Sequence, residues 1–182
     1  GIRGAHNASE LAGVAEDRMQ AWGRIYQRPV HFQQRVKHTR WCVLRWPSAS
    51  MAQLAGTSTE AFEQFYFDVC TMDYARMAKA VEPLVEAMTR ARDVHVEGPG
   101  DTDLRFSIEG MPVRPCTGSR NIPDGECFTA PVRDSVEGVI HYNTPTIYRG
   151  ESFENVRLRF DRGRVVEASC DGDDAALNGI LD

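Results

Sequence analysis

The sequence has no long apolar run, no secretory signal and no strong excess of charge of one sign. Its 182 residues are 42% hydrophobic and 26% charged, with a formal net charge of −5. Without a run of about 20 apolar residues, a membrane span is not expected. The mild acidity, with bases interspersed among the acids, argues against a nucleic-acid-binding surface. We expect a folded, non-membrane protein with enough residues for one sizeable core or two small ones.

The five cysteines are odd in number and widely scattered. They are Cys42, Cys70, Cys116, Cys127 and Cys170. No two of them have CxxC spacing, which excludes a zinc ribbon and a redox motif of that type. Buried free thiols in a reducing cytoplasm are the expectation, so the predicted location is cytoplasmic. Cys127, next to Glu126 and with His141 downstream, could be drawn as a thiol nucleophile with its base. An inert strand cysteine is the preferred interpretation.

Catalytic motifs that can be read locally are also missing. The sequence contains no HExxH, no GxSxG and no GxxxxGK[ST], which excludes a single-helix zinc site, a nucleophile elbow and a P-loop. Asp101 and Asp103 follow a glycine turn and are expected to accept hydrogen bonds from local backbone groups. Asp171, Asp173 and Asp174 are better explained as the acidic start of a helix than as a calcium loop.

The N-terminal third is predicted to be helical and then extended. Asn7 or Ser9 can cap a first helix, which should stop before Pro29. The polar, basic stretch 31–40 is predicted to be a solvated connection rather than an anion site. The apolar stretch 41–46 is predicted to be a buried strand.

Turn and capping residues predict the next helices. Ser48 or Ser50 opens a short helix that Gly56 ends. A capping-box arrangement at 57–60 then opens a helix with an apolar face, expected in the core, made of Phe62, Phe65, Tyr66 and Val69. Asp73 caps a further helical stretch, in which Pro83 predicts a kink or two abutting helices.

The pattern changes near Arg92–Asp93, where helical periodicity gives way to alternating strands and turns. We therefore predict an α/β, helix-rich part over residues 1–92, the later part of an α/β layered domain. Residues 93–182 are predicted to form a mainly antiparallel, β-rich part. A hairpin turn is expected at Asp161-Arg162-Gly163.

Glu126 is the first candidate for a functional residue. It follows the turn signal Pro123-Asp124-Gly125 and begins a predicted strand, in which it shares a face with Phe128. A carboxylate on an apolar face is costly unless a positive group meets it. A metal ligand, an ordinary ion pair and an exposed strand end all remain open on this reasoning.

Eight stretches, taken together, resemble one known family. They match its pattern in order and spacing: Arg40–Gly56, Thr59–Phe67, Asp73–Met77, Gly98–Leu104, Asn121–Pro131, Asp134–Gly138, Asn155–Phe160 and Gly163–Val166. The stretch Asn121–Pro131 resembles the signature of the thermophilic metalloprotease family, which includes aminopeptidases of the aminopeptidase T type. The resemblance covers nearly the whole chain.

The resemblance implies a two-domain metallo-aminopeptidase that acts on peptide N-termini as a homodimer. Its site would hold two divalent metal ions (zinc, cobalt, manganese or magnesium), bound by glutamates, histidines, an aspartate and a tyrosine. Only the first glutamate ligand has a match here, at Glu126, which the resemblance makes a metal ligand. The other ligands are expected after Asp182, and the catalytic base is not assigned. We therefore expect the sequence to be a section of a longer chain.

Two other functions are alternatives to the aminopeptidase. A related scaffold can carry a single iron and act as a ring-cleaving dioxygenase, but the run Asp124–Pro131 is of the peptidase type. A non-catalytic binding or assembly module that uses the β-rich half is the second alternative. The metal content of the full-length protein would distinguish the dioxygenase from the aminopeptidase. The presence or absence of the other metal ligands after Asp182 would distinguish the binding module from it.

Overall fold

The structure is a computed structural model that describes residues 6–148 and 150–181, and these residues form two compact units. The first unit contains the residues up to Asp73 together with Gly118–Asp124, and the second contains Tyr74–Thr117 and the residues from Gly125 onward. Helix does give way to strand at the predicted position, after Arg90. The compact units divide earlier, after Asp73, and the domain boundary near Arg92 stays a prediction.

The first helical segment begins later and runs further than predicted. Helix α1 spans Glu16–Trp22 and continues as a π-helix over Gly23–Val36, with Pro29 inside it. The predicted caps at Asn7 and Ser9 are wrong, because the Asn7 side chain accepts a hydrogen bond from the Ser9 backbone N–H at 3.0 Å and closes a local turn. The predicted stop before Pro29 is wrong too. The wider π turn relieves the clash between a proline ring and the carbonyl four residues earlier.

Residues 41–46 form less strand than predicted, and that strand is exposed. Strand β1 spans only Val43–Leu44 and pairs in parallel with β5, Asn121–Ile122. Val43 is 38% exposed and Leu44 is 46% exposed, so the prediction of a buried strand is wrong. Since the described sheet has only these two short strands, its apolar side chains lack the covering layer that buries a parallel sheet.

The next helices begin and end largely as the turn residues predict. Helix α2 spans Ala49–Leu54 with Ser48 as its N-cap residue, and Gly56 follows it with a φ of 65°. In helix α3, Thr59–Cys70, Ser58 is the cap, and its side chain accepts a hydrogen bond from the Ala61 N–H at 3.2 Å. The capping arrangement therefore lies one residue further along than the predicted 57–60 box.

The aromatic face of α3 is only partly in the core. Tyr66 is 7% exposed, but Phe65 is 64% exposed. Phe62 stacks on Tyr66 at a centroid distance of 6.0 Å, and Phe67 meets Tyr66 edge to face. The prediction that all four residues of the face form core is therefore wrong for Phe65.

Pro83 separates two helices, as one of the two predicted outcomes states. Helix α4 spans Tyr74–Ala80 and helix α5 spans Glu82–Arg90, with the proline in the first turn of α5. A proline is tolerated there because the first N–H groups of a helix have no partner inside it.

The rest of the second unit is mainly antiparallel β. Its main sheet has six strands: β2 (Asp93–Glu97), β3 (Asp103–Ser107), β7 (Glu137–Tyr142), β8 (Thr146–Tyr148), β9 (Glu151–Asp161) and β10 (Arg164–Asp171). Their order in the sheet is β10-β9-β7-β3-β2, with β8 paired to β9. Strands β4 (Arg114–Cys116) and β6 (Glu126–Phe128) form a separate antiparallel pair, and helix α6 spans Asp174–Leu181. Helices with mostly antiparallel sheets confirm the predicted fold class at that level. Its α/β layering stays a prediction.

Turn chemistry and strand alternation explain this sheet. The predicted hairpin joins β9 to β10 through Arg162 and Gly163, with φ values of 45° and 73°, a turn that matches the twist of the strands. One face carries apolar side chains such as Leu104, which is 8% exposed, and the other carries charges. No helix in the described part of the chain is long and apolar enough to cross a membrane.

Candidate functional site

Glu126 lies where the chain enters the second unit. Gly125, with a φ of 140°, precedes it, and strand β6 begins at Glu126 itself. An added Cβ on Gly125 would lie 3.2 Å from the terminal methyl of Met77, so α4 packs closely against this turn. Cys116 of β4 is the strand partner of Glu126, which fixes its backbone in an antiparallel ladder. The predicted turn-then-strand arrangement is confirmed.

Asp124 is engaged within its own loop. Its carboxylate accepts a hydrogen bond from the backbone N–H of Gly118 at 2.6 Å. Such bonds from an aspartate to local backbone are typical of turns and hold the loop closed. The Asp124 carboxylate therefore stabilises the turn. The carboxylate of Glu126, two residues later, is available for other contacts.

The surroundings of Glu126 differ from the expected apolar face. Glu126 is exposed and shares its side of β6 with Phe128, which is 51% exposed, while Cys127 is half-buried on the other side. The Glu126 side chain makes no hydrogen bond or ion pair with any residue in 6–148 or 150–181. The expectation that this carboxylate faces an apolar layer is wrong, because a three-residue strand in a two-stranded ladder covers neither of its faces.

The carboxylate of Glu126 suits a divalent cation chemically, but it is a single ligand. Oxygen donors are what hard divalent ions bind, and several must converge for tight binding. Within the two described ranges, no group of three His, Cys, Asp or Glu side chains is arranged to hold a metal ion. Of the residues that the structure describes, Glu126 therefore offers a single carboxylate, which by itself is too few donors for tight metal binding.

The thiol alternative finds no support in the geometry. Cys127 lies opposite Pro115 in the β4–β6 ladder, whereas His141 lies in β7, with its Nδ1 3.9 Å from Asp101 Oδ1. The backbone N–H of His141 donates to the Thr102 hydroxyl at 2.9 Å. His141 is therefore held in the charged face of the sheet.

The cysteines are free, as predicted, but not fully buried. Cys42 is exposed and the other four are half-buried. Burial, followed by the neighbouring Asp174, raises the pKa of the Cys170 thiol, which favours its uncharged form. A reactive thiolate at this position is not supported.

A ladder of charges crosses the exposed face of the six-stranded sheet. The Arg157 Nε donates to Asp101 Oδ2 at 2.7 Å, and another of its nitrogens donates to Glu167 Oε1 at 3.1 Å. Arg159 donates to the second Glu167 oxygen at 2.9 Å. His95 lies 2.9 Å from Asp103 on the same face. Asp101 accepts a hydrogen bond from its own backbone N–H, as predicted, but it also pairs with Arg157, whereas Asp103 pairs with the side chain of His95 in the neighbouring strand.

Hydrogen bonds from the arginines lower the pKa of Asp101 and the pKa of Glu167. The pKa of Asp101 lies below its ordinary value because Arg157 donates to it. The pKa of Glu167 is lowered first by the hydrogen bond from Arg159 and then by the charge of Arg157. In strand β9 the arginines Arg157 and Arg159 are two residues apart and so share a face, but the acids opposite them follow only from the strand register.

The acidic stretch near the end of the chain starts a helix, as predicted. One Asp173 oxygen accepts hydrogen bonds from the N–H groups of Ala175 and Ala176, at 2.9 and 3.0 Å. Asp174 accepts one from the N–H of Cys170 at 2.8 Å. Asp173 therefore satisfies free N–H groups at the start of α6, whereas Asp174 connects the helix to the end of β10, and no calcium loop is needed to explain them.

Comparison with known proteins identifies the class of the chain. The family model of the thermophilic metalloproteases (M29) matches residues 1–182, and the chain belongs to this family. Aminopeptidase T from Thermus thermophilus is 35% identical over 102 residues, which cover 51% of this chain and 25% of that protein. Aminopeptidase AmpS from Bacillus subtilis is 34% identical over 62 residues, or 34% of this chain and 15% of that protein.

The solved structures agree with this assignment at the level of the fold. Wild-type AmpT from Thermus thermophilus superposes with a TM-score of 0.78 at 22% identity, over 98% of this chain and 50% of that one. The chain therefore spans about half the length of the AmpT structure it matches. The dioxygenase from Pseudomonas putida KT2440 that also matches reaches a TM-score of only 0.48, too low to support a shared fold.

Proposed function

We propose that this chain is part of a metal-dependent aminopeptidase and that Glu126 is one of its metal ligands. The observation that carries the proposal is the family match over residues 1–182. The two curated relatives named above are both aminopeptidases. Because the chain spans half of the AmpT structure, we propose that the other ligands lie in a part of the enzyme beyond these residues.

The position of Glu126 supports its proposed role as a metal ligand. The ladder with β4 and the close packing of Met77 against Gly125 fix the backbone from which the side chain projects. A rigid ligand binds a metal better than a mobile one because less conformational entropy is lost on binding. With no ion pair or hydrogen bond to other described residues, the carboxylate can turn to a metal without losing an existing contact.

The proposed reaction is the hydrolysis of the first peptide bond of a peptide substrate. Two divalent metal ions, when bound, would polarise the scissile carbonyl and lower the pKa of a bound water. Glu126 contributes negative charge to that site and holds its own oxygen in place, and no role as general base is assigned to it. Function as a cytoplasmic homodimer is part of the same proposal and is supported by the resemblance in sequence.

The experiment is Glu126→Gln in the full-length enzyme that contains this section. Glutamine keeps the size and removes the charge, so we expect metal affinity to fall at least about tenfold and peptidase activity to be lost. The matched control is Glu151→Gln, an exposed strand glutamate of β9 that makes no ion pair with the described residues. Elemental analysis of bound metal and hydrolysis of aminoacyl-anilides are measured together with far-UV circular dichroism.

The possible results separate the alternatives. Wild-type activity and metal content in Glu126→Gln would remove this residue from the site. Bound iron with ring-cleaving activity would replace the aminopeptidase with a dioxygenase, and the absence of any metal in the full-length protein would favour a binding module. For the 182-residue chain alone, we expect no tight metal binding and no turnover, since one carboxylate is too few ligands.

A further inference from the structure

The first unit contains a cavity that the proposed aminopeptidase chemistry does not use. It lies between the end of the π-helical segment Gly23–Val36 and strand β1, and its volume is about 650 Å³. That is within the range of about 300 to 1,000 Å³ that is usual for small-molecule sites. The residues that matter for its chemistry are His31, Phe32, Arg35, Arg40, Trp41 and Trp46. We call this space the Arg–Trp cavity.

Positive charge is concentrated around the Arg–Trp cavity. From Arg18 to Thr59, both included, the sequence contains seven Arg or Lys residues and no Asp or Glu. The whole chain, by contrast, has a net charge of −5. Arg35 and Arg40 form no side-chain hydrogen bond or ion pair with any residue that the structure describes. The sheet arginines such as Arg157, by contrast, are paired with carboxylates. The two cavity arginines are therefore available to an anion from outside.

Aromatic rings line the same cavity and are held in place. The Trp41 indole N–H donates to the Val36 carbonyl at 3.2 Å, and the Arg120 guanidinium lies 5.1 Å from the Trp41 ring centroid. Trp46 packs edge to face against Phe67 at a centroid distance of 5.8 Å. Fixed indole rings offer flat apolar surfaces on which the ring of a ligand can stack.

His31 adds a polar atom that lacks a partner. Its Nδ1 is buried and makes no hydrogen bond within the described part of the chain. A buried nitrogen without a hydrogen bond costs free energy, and this atom is not accessible from the cavity. The arginines make one part of the cavity polar, and the indole rings make another part aromatic.

Contrary to the expectation from sequence that 31–40 is a solvated connection, we propose that the Arg–Trp cavity binds a small anionic ligand that carries an aromatic ring. Its carboxylate or phosphate meets Arg35 and Arg40, whose guanidinium groups suit such oxyanions, and its ring lies against Trp41 and Trp46. The proposal is independent of the metal site at Glu126. A nucleoside monophosphate and an aromatic carboxylic acid share this chemistry, and the experiment distinguishes them.

The experiment is isothermal titration calorimetry of the full-length enzyme that contains this section, with four probes. Adenosine monophosphate and indole-3-acetate carry both parts of the ligand, whereas adenosine and inorganic phosphate carry one part each. At least one of the two complete ligands should bind to a single site, at least tenfold more tightly than either partial one. Binding should weaken as salt is raised, because the attraction between charges is screened.

Substitutions test the two arginines separately. Arg35→Gln and Arg40→Gln should each weaken binding about tenfold to a hundredfold, the usual loss for one hydrogen bond to a charged group. The matched controls are Arg24→Gln and Arg28→Gln, which remove the same charge from the same segment but lie outside the cavity lining. Their dissociation constants should stay within about twofold of the value for the unchanged chain. Arg40→Lys, which keeps the charge but not the planar donors, serves if a glutamine variant fails to fold by circular dichroism.

Three results would overturn the proposal. The first is that neither complete ligand binds. The second is that phosphate alone binds as tightly as the nucleotide, which would leave the rings without a role. The third is an equal loss in Arg24→Gln and Arg35→Gln, which would show attraction to the basic segment as a whole.

Discussion

The turn between β9 and β10 allows a sharp test of backbone packing through Gly163→Ala. Gly163 has a φ of 73°, and a Cβ built on it would lie 1.7 Å from the Arg133 carbonyl oxygen. The Gly163 N–H also donates to the Val136 carbonyl at 2.9 Å, so the glycine is held against this segment. Because the obstructing atoms are backbone, no side-chain rotation can relieve the clash.

Gly110 provides a matched control for this change. Its φ is also 73°, but nothing lies within 4 Å of a Cβ built on it. Gly110→Ala therefore costs only the strain of a left-handed alanine, about 1 to 2 kcal/mol. Gly163→Ala costs the same strain plus about 1 to 3 kcal/mol for displaced backbone. The difference between the two variants isolates the effect of the close approach.

Urea unfolding followed by far-UV circular dichroism measures both variants. Fluorescence is less suitable, because the three tryptophans of the chain all lie before Asp73, in the first unit. For a chain of this length, each kcal/mol corresponds to about 2 to 4 °C in the melting temperature, which gives an independent check. Equal destabilisation of Gly110→Ala and Gly163→Ala would refute the described contact with Arg133.

Two further predictions concern a helix cap and the charged face of the sheet. Ser58→Ala removes the side-chain acceptor of the Ala61 N–H and should lower the free energy of unfolding by about 1 kcal/mol. Urea titration measures this change, and an unchanged unfolding midpoint would contradict the role of Ser58 as a helix cap. The lowered pKa of Asp101 stabilises the fold above its ordinary value of 3.8, and this stabilisation is lost as the pH falls below that value. Arg157→Gln should therefore flatten the fall in melting temperature between pH 5 and about pH 2, and an unchanged profile would show that the pair is not maintained in solution.

Local signals in the sequence predicted several elements well. The glycine after α2, the proline at the start of α5 and the Arg162-Gly163 turn each act through the backbone of a few neighbouring residues. Strand β6 and the turn before Glu126 belong to the same group. Such features depend little on the rest of the fold, because a proline or glycine restricts or permits φ wherever it occurs.

Predictions about burial failed, as did those for the limits of the first helix. The apolar stretch 41–46 and Phe65 were expected in the interior, yet β1 and Phe65 are exposed in the first unit. Glu126 was expected on an apolar face and is exposed as well. Hydrophobicity indicates what a residue would bury if a partner layer were present, but only the packing of distant segments supplies that layer.

The sequence by itself determined the family, the change from helices to antiparallel strands after Arg90, and the rigid turn that presents Glu126. These depend on motifs and on residues close together in the chain. The tertiary structure alone decided that Arg157 meets Asp101, 56 residues away, and that unpaired arginines share a cavity with two indole rings. Such contacts follow from strand register and from helix packing, which are set by the whole fold because a shift of one residue turns every side chain of a strand to its other face.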